Sequence, residues 1–195
     1  SAGHGHTDRG GVLGGETGGQ VGHPGGRLGL AVHDEQVDAA SAPEGGQLDD
    51  ALCAAGWQQA RGAVEGLHWD RIVSSPLRRC ADFAHELAAA RRVPLALDAR
   101  LAEYRYGDWQ GVTIAQLERC EPEALGRFRS APETYPPPNA ETLGAFGARI
   151  AAALDEIAAA PAARVLVVTH GAVIRWVRCQ REGRAFGEMA GMDVP

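Results

Sequence analysis

The run Arg164–Thr169 constrains the fold most, because apolar side chains fill it without the alternation of a half-buried strand. A strand that is apolar on both faces is typical of a parallel sheet covered on both sides. Residues 145–160, just before it, favour a helix, and Pro161 ends that helix. The pattern predicts an α/β domain in which helices cover a mostly parallel sheet.

The same alternation of helix and strand is found further upstream. Residues 54–67 carry apolar side chains at helical spacing, and residues 70–75 then read as a buried strand. The apolar stripe of residues 77–95 predicts a second helix. Ligand sites of open α/β sheets lie beyond the carboxyl ends of the strands. The positions to examine first are therefore Ser74, Ser75 and His170.

The first 47 residues differ in character from the rest, with an excess of Gly and scattered His, Pro and Asp. Only residues 28–32 resemble a strand there, and so little apolar side chain predicts a poorly ordered segment. The composition changes near Gly46. We therefore predict an atypical Gly-rich segment over residues 1–47 and one domain over residues 48–195, which could be truncated at its C-terminus.

Composition argues against several classes of function. The chain has 25 Asp and Glu against 19 Lys and Arg, and no basic run that could follow a nucleic-acid backbone. Its four cysteines stand far apart, which argues against a zinc site and a disulfide framework and favours reduced thiols. No apolar run approaches the roughly 20 residues that span a bilayer, and the N-terminus lacks the features of a signal peptide. We expect a cytoplasmic protein with no nucleic-acid or membrane partner.

Five short motifs follow one another between residues 48 and 171. They are Leu-Asp-Asp-Ala-Leu with Gly-Trp-Gln-Gln-Ala (48–52 and 56–60), Ser-Ser-Pro-Leu-Arg-Arg (74–79), Leu-Ala-Glu with Gly-Asp-Trp-Gln-Gly (101–103 and 107–111), Glu-Thr (141–142) and Thr-His-Gly (169–171). In this order they resemble the histidine phosphatase superfamily, which also includes the cofactor-dependent phosphoglycerate mutases. The resemblance implies a phosphoglycerate mutase-like, three-layer α/β/α sandwich, with a first strand that is missing or atypical in this chain.

The resemblance also implies a two-step reaction that needs no metal and no organic cofactor. In the family, a histidine at the end of the first strand attacks phosphorus, and water then hydrolyses the phosphohistidine. Arg79 matches the family's phosphate-clamping arginine, whose planar guanidinium can donate to two phosphate oxygens. His170 matches the second histidine, which donates to the transferring phosphoryl group. Glu103 matches the acid that protonates the leaving oxygen.

Glu141 is a further candidate for the site. It resembles the Glu of the family's Pro-Gly-Gly-Glu-Ser element, although Asn139 and Ala140 stand where the family has two glycines. The resemblance implies a residue beside the site, either as a substrate-binding group or as the anchor of its loop.

The nucleophile is the part of the pattern that this chain does not reproduce. The family signature is an apolar strand ending in Arg-His-Gly, and the sequence contains no copy of it. His4 keeps a His-Gly-x-Thr-like order but has no strand before it. His33 follows the strand-like run 28–32, yet Asp34 stands where the family has glycine. Residues 13–17 keep only Gly-Glu-Thr. We retain His4 and His33 as candidates, and a Gly-rich tail without a nucleophile is the alternative for both.

The spacing of the motifs favours the phosphatase branch over the mutases. Gly111 lies close in sequence to the turn at residues 135–138, whereas the mutases carry a longer insertion at this point. Within the phosphatase branch the chain looks most like the α-ribazole phosphatases of cobalamin assembly, so α-ribazole 5'-phosphate is the expected small-molecule partner. Two alternatives remain open. One is a mutase-type phosphotransferase, and the other is a phosphate-binding remnant that no longer turns over its ligand.

Overall fold

A computed structural model of the protein describes residues 20–23 and 26–32 as backbone, and residues 46–161, 164–185 and 187–188 in full. Its helices and strands alternate along the chain as the sequence predicts. Within this part of the chain, no helix is long and apolar enough to cross a membrane.

The described strands form a single sheet with the order β1-β2-β5-β3-β4. Their bounds are β1 Gln20–His23, β2 Gly26–Val32, β3 Arg71–Ser74, β4 Leu95–Leu97 and β5 Arg164–Thr169. Strands β2, β5, β3 and β4 are parallel to one another, and β1 pairs antiparallel with β2 at the edge. The prediction of a mostly parallel sheet is confirmed.

The α-helices of the described residues are α1 Ala54–Ala63, α2 Arg78–Arg91, α3 Ile114–Cys120, α4 Pro122–Ser130, α5 Leu143–Ala159 and α6 Gly171–Glu182. The helix predicted over residues 77–95 is too long. It ends at Arg91 because Arg92 adopts a left-handed conformation with φ 56°, and the chain then turns into β4. Two short 3-10 helices, Ala99–Leu101 and Gly107–Trp109, follow β4.

Helices cover both faces of the sheet because successive side chains of a strand point to opposite sides. On one face the strands present Ile72, Leu166 and Val168 to the core formed with α1 and α2. On the other face they present Val73, Val165 and Val167 to the core formed with α5. A further cluster joins α5 to α6 through Phe146, Ile150, Val173 and Val177. The three-layer α/β/α sandwich is thereby confirmed.

Strand β2 occupies the position beside the central strand β5. Its register pairs Leu28 with Val165 and Val32 with Thr169. The single strand-like run in the Gly-rich segment is therefore a strand, and the first strand is atypical rather than missing. The boundary at residue 48 and the poor order of residues 1–47 stay predictions, but the sheet takes two of its strands from before that boundary.

Candidate active site

The carboxyl ends of β3 and β5 bring together a histidine and a serine. His170 directly follows β5 and precedes the first turn of α6, and only 1% of its surface is exposed. Its Nε2 lies 2.7 Å from the Oγ of Ser75, the residue after β3. The Ser75 amide donates to the carbonyl of Val168 at 2.9 Å, which continues the pairing of the two strands. The position predicted for a ligand site thus contains a buried histidine in a fixed orientation.

A buried thiol packs against the ring of His170. The Sγ of Cys80 lies 3.7 Å from Nδ1 and 3.6 Å from Nε2 of that ring. Burial raises the pKa of Cys80 to about 12, against a smaller lowering by the charge of Arg79 and with a further raising by Glu103. The thiol therefore stays protonated at neutral pH and is not a nucleophile.

We expect thiol reagents to distinguish two classes of cysteine in the folded protein. Cys53 and Cys120 are exposed, whereas Cys80 and Cys179 are buried and burial raises the pKa of both. At about pH 8, two of the four thiols should react rapidly with a chromogenic disulfide, and all four after denaturation. Peptide mapping assigns them. Labelling of Cys80 as fast as Cys53 in the native protein would contradict the packing described here.

Glu103 lies in the loop that follows the 3-10 helix Ala99–Leu101. Its Oε1 accepts a hydrogen bond from the amide of Tyr104 at 2.7 Å. Its Oε2 accepts from the amide of Ala172 at 3.3 Å, in the first turn of α6. Glu103 and His170 are therefore brought together at the N-terminus of the same helix.

Arg79 is the second residue of α2 and is partly buried. Its Nη1 donates to the carbonyl of Leu48 at 2.7 Å, and its Nη2 donates to the carbonyl of Gly46 at 2.6 Å. Because a guanidinium has five N–H groups, these two bonds orient the side chain without using all of its donors. The next residue along α2, Cys80, is the one that contacts His170.

Glu141 is bound by neighbouring protein groups. Its carboxylate accepts two hydrogen bonds from Arg149, at 2.7 and 3.1 Å, and one from the amide of Arg105 at 2.9 Å. Only 10% of its side chain is exposed. Its carbonyl accepts the hydroxyl of Tyr104 at 2.6 Å, and burial raises the pKa of that tyrosine to about 12. These contacts make Glu141 an anchor of its loop, and a role in binding substrate stays a prediction.

Gly107, in the Gly-Asp-Trp-Gln-Gly motif, packs closely against the backbone of the loop that leads to Glu141. Gly107 has φ +61°, and a Cβ added to it would lie 2.1 Å from the carbonyl oxygen of Pro138. Asn139 has φ 58°, in the left-handed region, and its Nδ2 donates to the Asp108 carboxylate at 3.0 Å. Asparagine tolerates this conformation better than most residues, which explains how it can stand where the family has glycine.

Substituting Gly107 with Ala should lower the free energy of unfolding by about 2–4 kcal/mol, because the strain of a left-handed alanine adds to a steric clash. Gly66→Ala is the matched control, since Gly66 has φ +71° but no atom within 4 Å of its added Cβ. It should lose only about 1–2 kcal/mol from backbone strain. Urea unfolding of both variants measures the difference. Equal losses would show that the contact between Gly107 and the Pro138 carbonyl is unimportant.

The structure describes some of the other candidate residues and not others. Tyr104 and Trp109 are buried and pack in two separate clusters of the core. His4 and His33 lie outside the described residues. Sequence reasoning missed Arg149, because no motif marks it. Among the described residues, there is no group of three or more His, Cys, Asp or Glu side chains that could hold a metal ion.

Comparison with known proteins agrees with this geometry. Residues 35–195 match the model of the histidine phosphatase superfamily, branch 1. The chain is 35% identical over 141 residues to glucosyl-3-phosphoglycerate phosphatase of Mycobacterium tuberculosis, and the match covers 66% of this chain and 63% of that relative. The chain thus spans less than two thirds of that relative's length.

Solved structures show the same fold. The mycobacterial glucosyl-3-phosphoglycerate phosphatase in complex with inorganic phosphate superposes with a TM-score of 0.64 at 26% identity, over 85% of this chain and 82% of that one. The α-ribazole phosphatase of Shigella flexneri superposes with a TM-score of 0.69 at 23% identity, over 84% and 83% of the two chains, which shows the fold alone. From the matched family model, the sheet and the ordered motifs, the chain belongs to branch 1 of the histidine phosphatase superfamily.

Proposed function

We propose that this protein hydrolyses a small phosphomonoester through a phosphohistidine, without a metal ion. The observation that carries the proposal is the placement of Glu103 and His170 at the N-terminus of α6, with Arg79 in the first turn of α2, the helix that follows β3. Helix N-termini and guanidinium groups both favour bound phosphate. Family membership supports the phosphatase class of reaction.

The proposed reaction has two displacements at phosphorus. A histidine nitrogen forms a bond to phosphorus while the ester P–O bond breaks, and Glu103 gives a proton to the departing alcohol. Water then attacks the phosphohistidine, Glu103 takes its proton, and phosphate leaves with the histidine restored. Arg79 and His170 would neutralise the charge on the phosphoryl oxygens during both steps.

Strand pairing favours His33 over His4 as the nucleophile. Val32 pairs with Thr169 at the ends of β2 and β5. His170 is the residue after Thr169 in the sequence, and His33 is the residue after Val32. His4 is separated from β1 by a Gly-rich stretch. Because Val32 and Asp34 replace the Arg and Gly of the family signature, we expect turnover to be weak, and binding without turnover is the second candidate function.

Two observations favour different substrates. The motif resemblance favours α-ribazole 5'-phosphate, which we propose as the substrate. The identity of 35% to the mycobacterial relative favours glucosyl-3-phosphoglycerate as its rival. Both are phosphomonoesters of a small polar alcohol, so the same site chemistry would serve either. All four cysteines are free, which suits a reducing cytoplasm, where we propose that the enzyme acts.

Phosphate release from a panel of esters tests the proposal. The panel contains α-ribazole 5'-phosphate, glucosyl-3-phosphoglycerate and 3-phosphoglycerate, each with and without EDTA. We expect release from at least one of the first two, unchanged by EDTA, and no isomerisation of 3-phosphoglycerate. Activity that EDTA abolishes, or efficient mutase activity, would overturn the proposal. Binding of orthovanadate with no release from any ester would establish the second candidate function.

A further inference from the structure

A single arginine on α5 donates hydrogen bonds both to the loop that carries Glu103 and to the loop that carries Glu141. Arg149 projects from the middle of α5, and 20% of its side chain is exposed. Its guanidinium carbon lies 4.8 Å from the centre of the Phe146 ring, which supports one face of the group. We propose that Arg149 is a positioning residue for Glu103. The inference rests on the proposed function, in which Glu103 is the general acid.

Every N–H group of Arg149 has an acceptor. Nη1 donates to the carbonyls of Arg100 at 2.6 Å and Ala102 at 2.7 Å. Nη2 donates to the carbonyl of Glu103 at 2.9 Å and to Glu141 Oε1 at 2.7 Å, and Nε donates to Glu141 Oε2 at 3.1 Å. These five bonds match the five donors of a guanidinium.

Three of the acceptors belong to the backbone that carries Glu103. This stretch leaves the 3-10 helix Ala99–Leu101 and forms no strand, so side chains must satisfy its carbonyls. Arg149 and Gln47 both donate to the Glu103 carbonyl, at 2.9 and 3.2 Å. Because Arg149 and Gln47 hold that carbonyl, the Glu103 side chain reaches the amide of Ala172 in α6. The guanidinium therefore sets where the carboxylate lies relative to His170.

Glu141 fixes the guanidinium in turn. The two-point contact between Glu141 and Arg149 defines both the position and the plane of the group, and the amide of Arg105 holds the same carboxylate. Lysine has three donors on one nitrogen and no planar fork. It could keep the charge beside Glu141 but could not reach all three carbonyls. Arg149→Lys therefore keeps the positive charge beside Glu141 and removes the hydrogen bonds that position the Glu103 backbone.

The kinetic test uses the leaving group. A general acid matters for an alkyl phosphate, whose leaving oxygen needs a proton, and little for p-nitrophenyl phosphate, whose phenolate leaves unaided. We expect Arg149→Lys to lower kcat for glycerol 2-phosphate about 10–100-fold and for p-nitrophenyl phosphate less than about 3-fold, with KM nearly unchanged. Glu103→Gln should give the same selective loss. Arg61→Met, which removes an exposed guanidinium paired with Glu86 outside this network, is the control and should change neither rate.

A spectroscopic test does not depend on turnover. The amide protons of Tyr104 and Ala172 donate to the Glu103 carboxylate, so protonating that carboxylate with acid should move the NMR signals of both amides. We expect Glu103→Gln to abolish both pH-dependent steps, and Arg149→Lys to abolish the step at Ala172. Preserved steps in a folded Arg149→Lys variant, or equal loss of rate for both esters, would overturn the inference. Absence of turnover in the unmodified protein would instead count against the proposed function.

Discussion

Substituting His33 with Ala is expected to abolish acid-labile phosphoenzyme labelling and to lower phosphate release by several orders of magnitude. Loss of a covalent nucleophile typically costs several orders of magnitude, because binding and electrostatics preserve only a small part of catalysis. The expectation follows from the pairing of Val32 with Thr169, which makes His33 the residue after the end of β2. Labelling with a 32P-ester, followed by acid and base quenching, provides the measurement.

His4→Ala is the matched control, since it removes an imidazole from the same Gly-rich segment. It should leave both labelling and turnover unchanged. The opposite pattern, with labelling lost in His4→Ala and kept in His33→Ala, would reverse the assignment of the nucleophile. If neither substitution affects a robustly labelled phosphoenzyme, neither histidine carries the phosphoryl group.

Substituting Arg79 with Ala should lower the affinity for orthovanadate by about 100-fold or more. Hydrogen bonds to a charged group contribute about 1.5–3 kcal/mol each, and a guanidinium can supply two to one oxyanion. Isothermal titration measures this loss even in a chain with weak turnover. Arg79→Lys should recover part of the affinity, since it keeps the charge and loses the fork.

Arg78→Ala is the control for this substitution. Arg78 is exposed, and its guanidinium lies 3.7 Å from Asp82 on the surface of α2. Removing it should change vanadate affinity by less than about twofold, because exposed ion pairs contribute little. An equal loss in Arg78→Ala and Arg79→Ala would indicate that the general charge of this helix end, and not a clamp at Arg79, attracts the anion.

The sequence predicts those parts of the fold in which one segment determines its own structure. Strand β5 is buried on both faces, so its uninterrupted apolar run is enough to predict a strand inside a covered sheet. Strand β4 is different, because it has three residues, Leu95 is only partly buried and the other two are exposed. Without an apolar pattern of its own, it is not predicted from the sequence, and the predicted helix 77–95 overlaps its first residue. A short edge strand depends on its neighbour β3, which a local pattern does not contain.

The candidate site also contains residues that a local pattern can predict and residues that it cannot. Arg79, Glu103 and His170 stand in motifs, so the resemblance makes them candidates before any contact is known. Arg149 contacts carbonyls that lie 46 to 49 positions earlier in the sequence, and carbonyls are common to all residues. No side-chain pattern can therefore identify its partners. The loop-anchoring contacts of Glu141 depend on Arg149 as well and could be recognised only with the helix α5 in place.

The central position of β5 affects the order in which the chain can fold during synthesis. Among the described strands, β2 has β1 and β5 as its partners and β3 has β4 and β5, so β5 is the strand that joins the two pairs. Two-stranded pieces are at best marginally stable on their own in water. A nascent chain that has not yet reached Arg164 therefore holds two separate strand pairs with exposed edges. The sheet can close only after residues 164–169 have left the ribosome, so until then the apolar strands that precede them lack their central partner.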